Sequence, residues 1–116
     1  MGQKNNSINY IEFPLVDAAG TKKFYHQVFG WEFTDFGPEY VSFSGAGIDG
    51  GFNGADKVQV SSPGALIVLY ADNLARKLKE IERAGGEITK AIFQFPGGER
   101  FHFLDPNGNE LAVWSE

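Results

Sequence analysis

The chain repeats itself. Moved forward by 55 residues, Asp17 falls on Asp72, Gly30 on Gly85 and Glu32-Phe33 on Glu87-Ile88. Once five further residues are allowed for, Phe43 falls on Phe103. Each copy reads strand, helix, then three strands: an apolar run gives way to an Asp cap, a helical stripe and a glycine stop. A repeat of this length constrains the architecture more than any single motif does. One copy alone leaves a face of its four-stranded sheet bare, so two copies are expected to share a core or a cleft.

In the first copy, Ile8–Leu15 alternates Ile11, Phe13 and Leu15 with Tyr10, Glu12 and Pro14, the pattern of a strand. Pro14 lacks a ladder donor and places this strand at an edge, or ends it there. Asp17 caps a helix over about Ala18–Phe29, with Phe24, Tyr25 and Val28 as its buried stripe and Gly30 as its stop. Trp31–Phe36 and Glu39–Ser44 are the next strands, and a glycine-softened strand ends near Phe52. Residues 53–64 are polar and turn-rich, and read as the linker. In the second copy, Ala65–Ala71 is an apolar strand. Asp72 caps a helix over Asn73–Ala84 with Leu74, Leu78 and Ile81 on one face, and Glu87–Phe93 follows as a strand.

The end of the chain is the most informative part for chemistry. Arg100–Leu104 and Glu110–Trp114 read as strands around Asp105-Pro-Asn-Gly-Asn109, a run of turn residues. Alternation puts Phe101, Phe103, Leu111 and Val113 on one face. The other face carries Arg100, His102, Leu104, Glu110, Ala112 and Trp114. The first face reads as core. The second mixes charge, imidazole and indole, as a ligand site does.

Composition narrows the classes. The net charge of −5 speaks against a nucleic-acid surface, which needs clustered Lys and Arg. There are no cysteines, so disulfides, thiolate catalysis and thiolate metal sites are excluded. No apolar run reaches the roughly 18 residues of a membrane span. The N-terminal Met1–Ser7 has no apolar core of a signal peptide, and a cytoplasmic location is expected. The lengths and 42% hydrophobic content suit one domain.

Three segments carry a resemblance. Tyr10-Ile-Glu-Phe-Pro-Leu-Val-Asp17 with Phe24-Tyr25 and Val28-Phe-Gly-Trp-Glu-Phe33 resembles the opening strand and helix end of the vicinal oxygen chelate superfamily. That superfamily includes glyoxalase I, bleomycin-resistance proteins and extradiol dioxygenases. Asp72-Asn-Leu74 with Ala84-Gly-Gly-Glu-Ile88 resembles its second helix, and Phe103-Leu-Asp-Pro-Asn-Gly-Asn109 its C-terminal turn. The resemblance runs from Ile8 onward. It implies an α+β fold of two repeated βαβββ modules forming a curved mixed sheet around a cleft. The expectation is a single domain over 1–116, with module 1 at about 8–52, a linker at 53–64 and module 2 at about 65–116.

The resemblance also implies where metal ligands stand in metal-using members: on the first and last strands of each module. Those positions here are Tyr10, Ala65, Ala112 and one near Gly51, a set that builds no metal centre of this type. His26 is expected at the surface. His102 with Glu12 and Glu110 is the remaining cation set, without the implied geometry. No metal and no cofactor are expected.

Alternation and the repeat together put Tyr10, Glu12, Tyr40, Ser42, Arg100, His102, Glu110 and Trp114 on the ligand-binding face, with Ile67 and Leu69 as apolar wall. Arg100 beside Glu12 or Glu110 also reads as an internal ion pair. His102, tuned by a carboxylate, is the candidate general base. The leading reading is metal-independent binding of a small organic molecule, aromatic or cationic, against Trp114, Tyr10, Glu12 and Glu110. The alternatives are a metal-using lyase, isomerase or dioxygenase of the same superfamily, and a non-enzymatic dimerisation domain. The resemblance implies a homodimer, with modules kept within one chain or exchanged between two.

Overall fold

A computed structural model describes residues 5–6, 8–55 and 65–116. It divides into two compact units, one for each copy of the repeat. The first contains β1 (Tyr10–Pro14), α1 (Ala18–Phe29), β2 (Glu32–Asp35), β3 (Tyr40–Ser44) and β4 (Asp49–Asn53). The second contains β5 (Ile67–Tyr70), α2 (Leu74–Arg83), β6 (Glu87–Phe95), β7 (Gly98–Leu104) and β8 (Glu110–Ser115). The fold is α+β: two repeated βαβββ modules, each with one helix and one four-stranded mixed sheet. The turn-rich stretch expected as a linker falls largely on residues 56–64, outside the described residues. Among the described residues no helix is long and apolar enough to cross a membrane.

The two sheets have the same order, β1-β4-β3-β2 and β5-β8-β7-β6. In each, the first strand pairs in parallel with the last, and the remaining pairs are antiparallel. Pro14 ends an edge strand, where its missing N–H breaks no ladder. The register equates Phe33 opposite Phe43 with Ile88 opposite Phe103, as the repeat requires. It also equates Ile11 opposite Gly50 with Ile67 opposite Leu111. The first strands are therefore offset by one residue more than the helix stops.

That extra residue moves a cap. Asp17 caps α1 by accepting from Gly20 N at 2.9 Å, and Gly30 ends the helix at φ 75°. In the second unit Asn73, not Asp72, caps α2, accepting from Arg76 N at 3.1 Å. Asp72 is exposed. The correction has a local cause: both residues can cap, and the chain enters the helix at the one with extended backbone, φ −127° and ψ 93°.

Each helix packs on one face of its own sheet. In the first unit that core is almost wholly aromatic. The Trp31 ring is stacked between Tyr25 and Phe43, each 4.6 Å away between centroids. Phe52 lies 5.0 Å from Phe13 and 5.3 Å from Tyr25. In the second unit Phe101, Phe103, Leu111, Val113 and Ile81 are fully buried. Burial of each such side chain stabilises by about 1.5–3 kcal/mol. The alternation expected for β7 and β8 is observed, and their opposite face is left for polar groups.

The turn between those strands is built around one carboxylate. Buried Asp105 accepts from Asn107 N and Asn109 N, each at 2.8 Å, through one oxygen. Its other oxygen accepts from Asn109 Nδ2 at 3.1 Å. Gly108 takes φ 88°, and its N–H returns to Asp105 O at 3.0 Å. The Asp-Pro-Asn-Gly-Asn motif is thus structural: it fixes the register that brings His102 opposite Ala112.

Candidate functional site

The face of each sheet turned away from its helix carries the polar residues. In the first unit, register places Tyr10, Glu12, Tyr40, Ser42, Gly51 and Asn53 on that face. Tyr40 Oη donates to Glu12 Oε1 at 2.9 Å and is itself hydrogen-bonded to Tyr10 Oη. Asn53 Nδ2 donates to the other Glu12 oxygen at 3.2 Å, while its own Oδ1 accepts from Ala55 N at 2.8 Å. Glu12 is therefore oriented from two sides, and the chain of hydroxyls runs outward to half-exposed Tyr10. Burial foremost, then the hydrogen bonds with Tyr10 and Glu12, push the Tyr40 phenol well above the ordinary tyrosine range. Ser42 turns its hydroxyl to Thr34 O at 3.4 Å.

In the second unit the same face is an aromatic frame around a guanidinium and an imidazole. Trp114 meets Tyr70 edge-on at 5.1 Å and Phe95 at 6.3 Å. The Arg100 guanidinium lies 5.3 Å from the Phe93 centroid and 5.6 Å from that of Phe95, a cation held against two rings. His102 is buried, with Nδ1 at 3.1 Å from Glu110 Oε2. Thr89 Oγ1 donates to the same Glu110 oxygen at 3.2 Å.

The expected residues are thus brought into two groups, Tyr10, Glu12, Tyr40 and Ser42 in one unit and Arg100, His102, Glu110 and Trp114 in the other. Two expectations need correcting. Ile67 and Leu69 do not line the polar face: they stand opposite Leu111 and Val113 on the helix side, and Val68 and Tyr70 take the polar face. A strand apolar at every position has no alternation to read, and only the partner's register decides its faces. Arg100 makes no ion pair with Glu110, whose carboxylate is paired with His102 and accepts from Thr89. His26 is at the surface as expected, between Trp31 O at 3.0 Å and Glu32 at 3.4 Å.

Asn53, Tyr70, Thr89, Phe93 and Phe95 belong to these groups and were not anticipated. For Phe93 and Phe95 the cause is β6, which runs two residues further than its pattern suggests and slips register against β7 twice.

Comparison with known proteins agrees with this architecture. The family model described as the Glyoxalase/Bleomycin resistance protein/Dioxygenase superfamily matches residues 7–113. The chain belongs to this superfamily. No curated protein sequence matches it. Among solved structures, it is similar to a glyoxalase-related enzyme from Fulvimarina pelagi, at 20% identity and a TM-score of 0.80, over 96% of this chain and 88% of that one. It is also similar to TnmS3, an antibiotic binding protein from Streptomyces sp. CB03234, at 20% identity and a TM-score of 0.69, over 99% and 98% of the two chains. A lactoylglutathione lyase from Agrobacterium tumefaciens aligns at 19% identity and a TM-score of 0.71, over 97% and 96%. At these identities the likeness concerns the fold.

The strand positions at which the superfamily implies metal donors can now be placed by register. Gly51 and Ala112 are equivalent, opposite Ser42 and His102. Tyr10, one residue before Ile11, is matched by Leu66, one before Ile67, rather than by Ala65. Glycine, alanine and leucine offer no donor, and the Tyr10 hydroxyl is bonded to Tyr40. Among the described residues no three His, Asp or Glu side chains gather. These residues do not fit a divalent ion.

Proposed function

We propose that this superfamily member binds a small organic molecule without the help of a metal, and that the polar sheet face of the second unit is where it does so. The observation that carries this reading is the frame of Trp114, Phe95, Phe93 and Tyr70 around Arg100 and the His102–Glu110 pair. Stacking surface with a few convergent polar groups is how proteins take up planar ligands. Tyr10, Glu12, Tyr40 and Ser42 form a second binding face, with the oriented Glu12 carboxylate suited to a cation. A homodimer in the cytoplasm, within or between whose chains the modules of a single domain pair, completes the proposal.

Metal analysis of the purified protein, followed by melting with and without Zn, Ni, Mn and Fe, is the first test. The expected result is no stoichiometric metal and no rise in melting temperature; a metal-dependent rise overturns metal independence. A ligand screen read by tryptophan emission is the second. Trp31 is buried in the core and Trp114 is part of the site, so a true ligand changes the emission of the wild type but not of Trp114→Phe. A ligand whose signal persists in that variant places binding elsewhere.

A further inference from the structure

Two polar atoms on the second unit's polar face are buried with no hydrogen-bond partner among the described residues: His102 Nε2 and Arg100 Nε. Leaving such an atom unsatisfied costs about 1–3 kcal/mol, so a native fold keeps one for a reason. His102 itself is only 5% exposed. The two residues are two apart on β7 and so stand on the same face of the sheet. Phe93 is near both side chains, its ring centroid 5.8 Å from that of the imidazole and 5.3 Å from the guanidinium carbon. It stands on β6, the outer strand of the sheet, beside a register slip. An irregular edge strand thus holds the ring that lies beside both side chains.

The two atoms have opposite character. A carboxylate accepts, so His102 Nδ1 donates to Glu110, and as long as the ring carries that one proton Nε2 holds a lone pair. Arg100 Nε is a donor only. The charged groups facing His102 are Glu110 on β8, Arg100 on β7 and Lys90, its register partner on β6. A ligand that arrives already ionised, as a carboxylate does, would satisfy Arg100 but brings no proton for Nε2. A protonated amine, which only donates, would do the reverse. An acidic hydroxyl on a planar conjugated ring satisfies both, giving its proton to one atom and its negative oxygen to the other.

We propose that His102 and Arg100 form a site for a phenol or enol, which binds as its anion. The ligand O–H bond breaks, the proton passes to His102 Nε2, and the electron pair stays on the ligand oxygen facing Arg100. The imidazolium so formed is paired with Glu110, and the proton returns when the ligand leaves. The ring takes a place among Phe93, Phe95 and Trp114. This inference rests on the small-molecule reading above and specifies its ligand.

The test uses 4-nitrophenol, whose anion absorbs visible light, with 4-nitroanisole as the probe that cannot ionise. At a pH below the free probe's ionisation, bound 4-nitrophenol is expected to show the spectrum of its anion. Arg100→Met and His102→Gln are each expected to weaken its binding at least about tenfold, while Lys79→Ala, exposed on α2, leaves it unchanged. Should His102→Gln fold poorly, the wild-type spectrum and Arg100→Met decide. Bound probe that stays neutral, or 4-nitroanisole that binds as tightly, overturns the inference and leaves the small-molecule reading in place. Failure of both probes to bind also overturns it, and the small-molecule reading is then judged by its own screen.

Discussion

The ring of Tyr40 lies across the backbone of Gly51, in the space that a Cβ at position 51 would fill. The glycine is therefore the condition for the Tyr40–Glu12 hydrogen bond, and it stands at a position where the superfamily implies a metal donor. Replacing Gly51 with Ala is expected to cost about 1–3 kcal/mol, measured by denaturant unfolding. In a Tyr40→Ala background the same change costs less, and equal costs in both backgrounds refute the link.

Alkaline pH exposes the same group. The folded chain holds the Tyr40 phenol above its unfolded value, so the protonated form favours the folded state. That contribution is present below the unfolded tyrosine value of about 10 and is lost as pH rises beyond it toward the folded one. Wild-type stability should fall over that range more steeply than that of Tyr40→Phe. Parallel curves for the two proteins would refute the assignment.

Asp105 is expected to be the most sensitive position of the C-terminal turn. Asp105→Ala strands two backbone N–H groups in a buried turn and should cost at least about 3 kcal/mol by thermal or chemical unfolding. Asp105→Asn keeps one acceptor oxygen and should cost less. If the two variants are equally stable, the carboxylate is not what organises the turn.

Packing and surface charge are expected to separate clearly in the first unit. Trp31→Ala removes a ring held on both sides by aromatic neighbours and should cost about 3–5 kcal/mol. Lys22→Ala breaks a 3.0 Å ion pair between exposed side chains and should stay within about 0.5 kcal/mol. Differential calorimetry on both variants gives the comparison.

Much of this architecture is legible in the residues. Asp17 and Gly30 mark the limits of α1, and Phe101, Phe103, Leu111 and Val113 mark the buried face of β7 and β8, because caps and alternation are local signals. Two of the failures share one physical cause. Ile67 and Leu69 lie in a uniformly apolar parallel strand, and Phe93 follows two bulges, so in both places facing is set by a distant partner's register. The choice of Asn73 over Asp72 is of another kind: two adjacent residues can both cap, and the backbone conformation decides between them. Arg100 shows a different limit: its charge predicts a carboxylate partner, whereas the structure gives it two rings.

Each first strand pairs with the last strand of its own module, and among the described residues no strand ladder joins one module to the other. The ladders that close each sheet therefore span less than half the chain. Loop-closure entropy is charged over those shorter distances, and folding rate follows the mean separation of contacting residues rather than total length. Each module is thereby equipped to nucleate by itself, and the chain's folding speed should be set by its slower half.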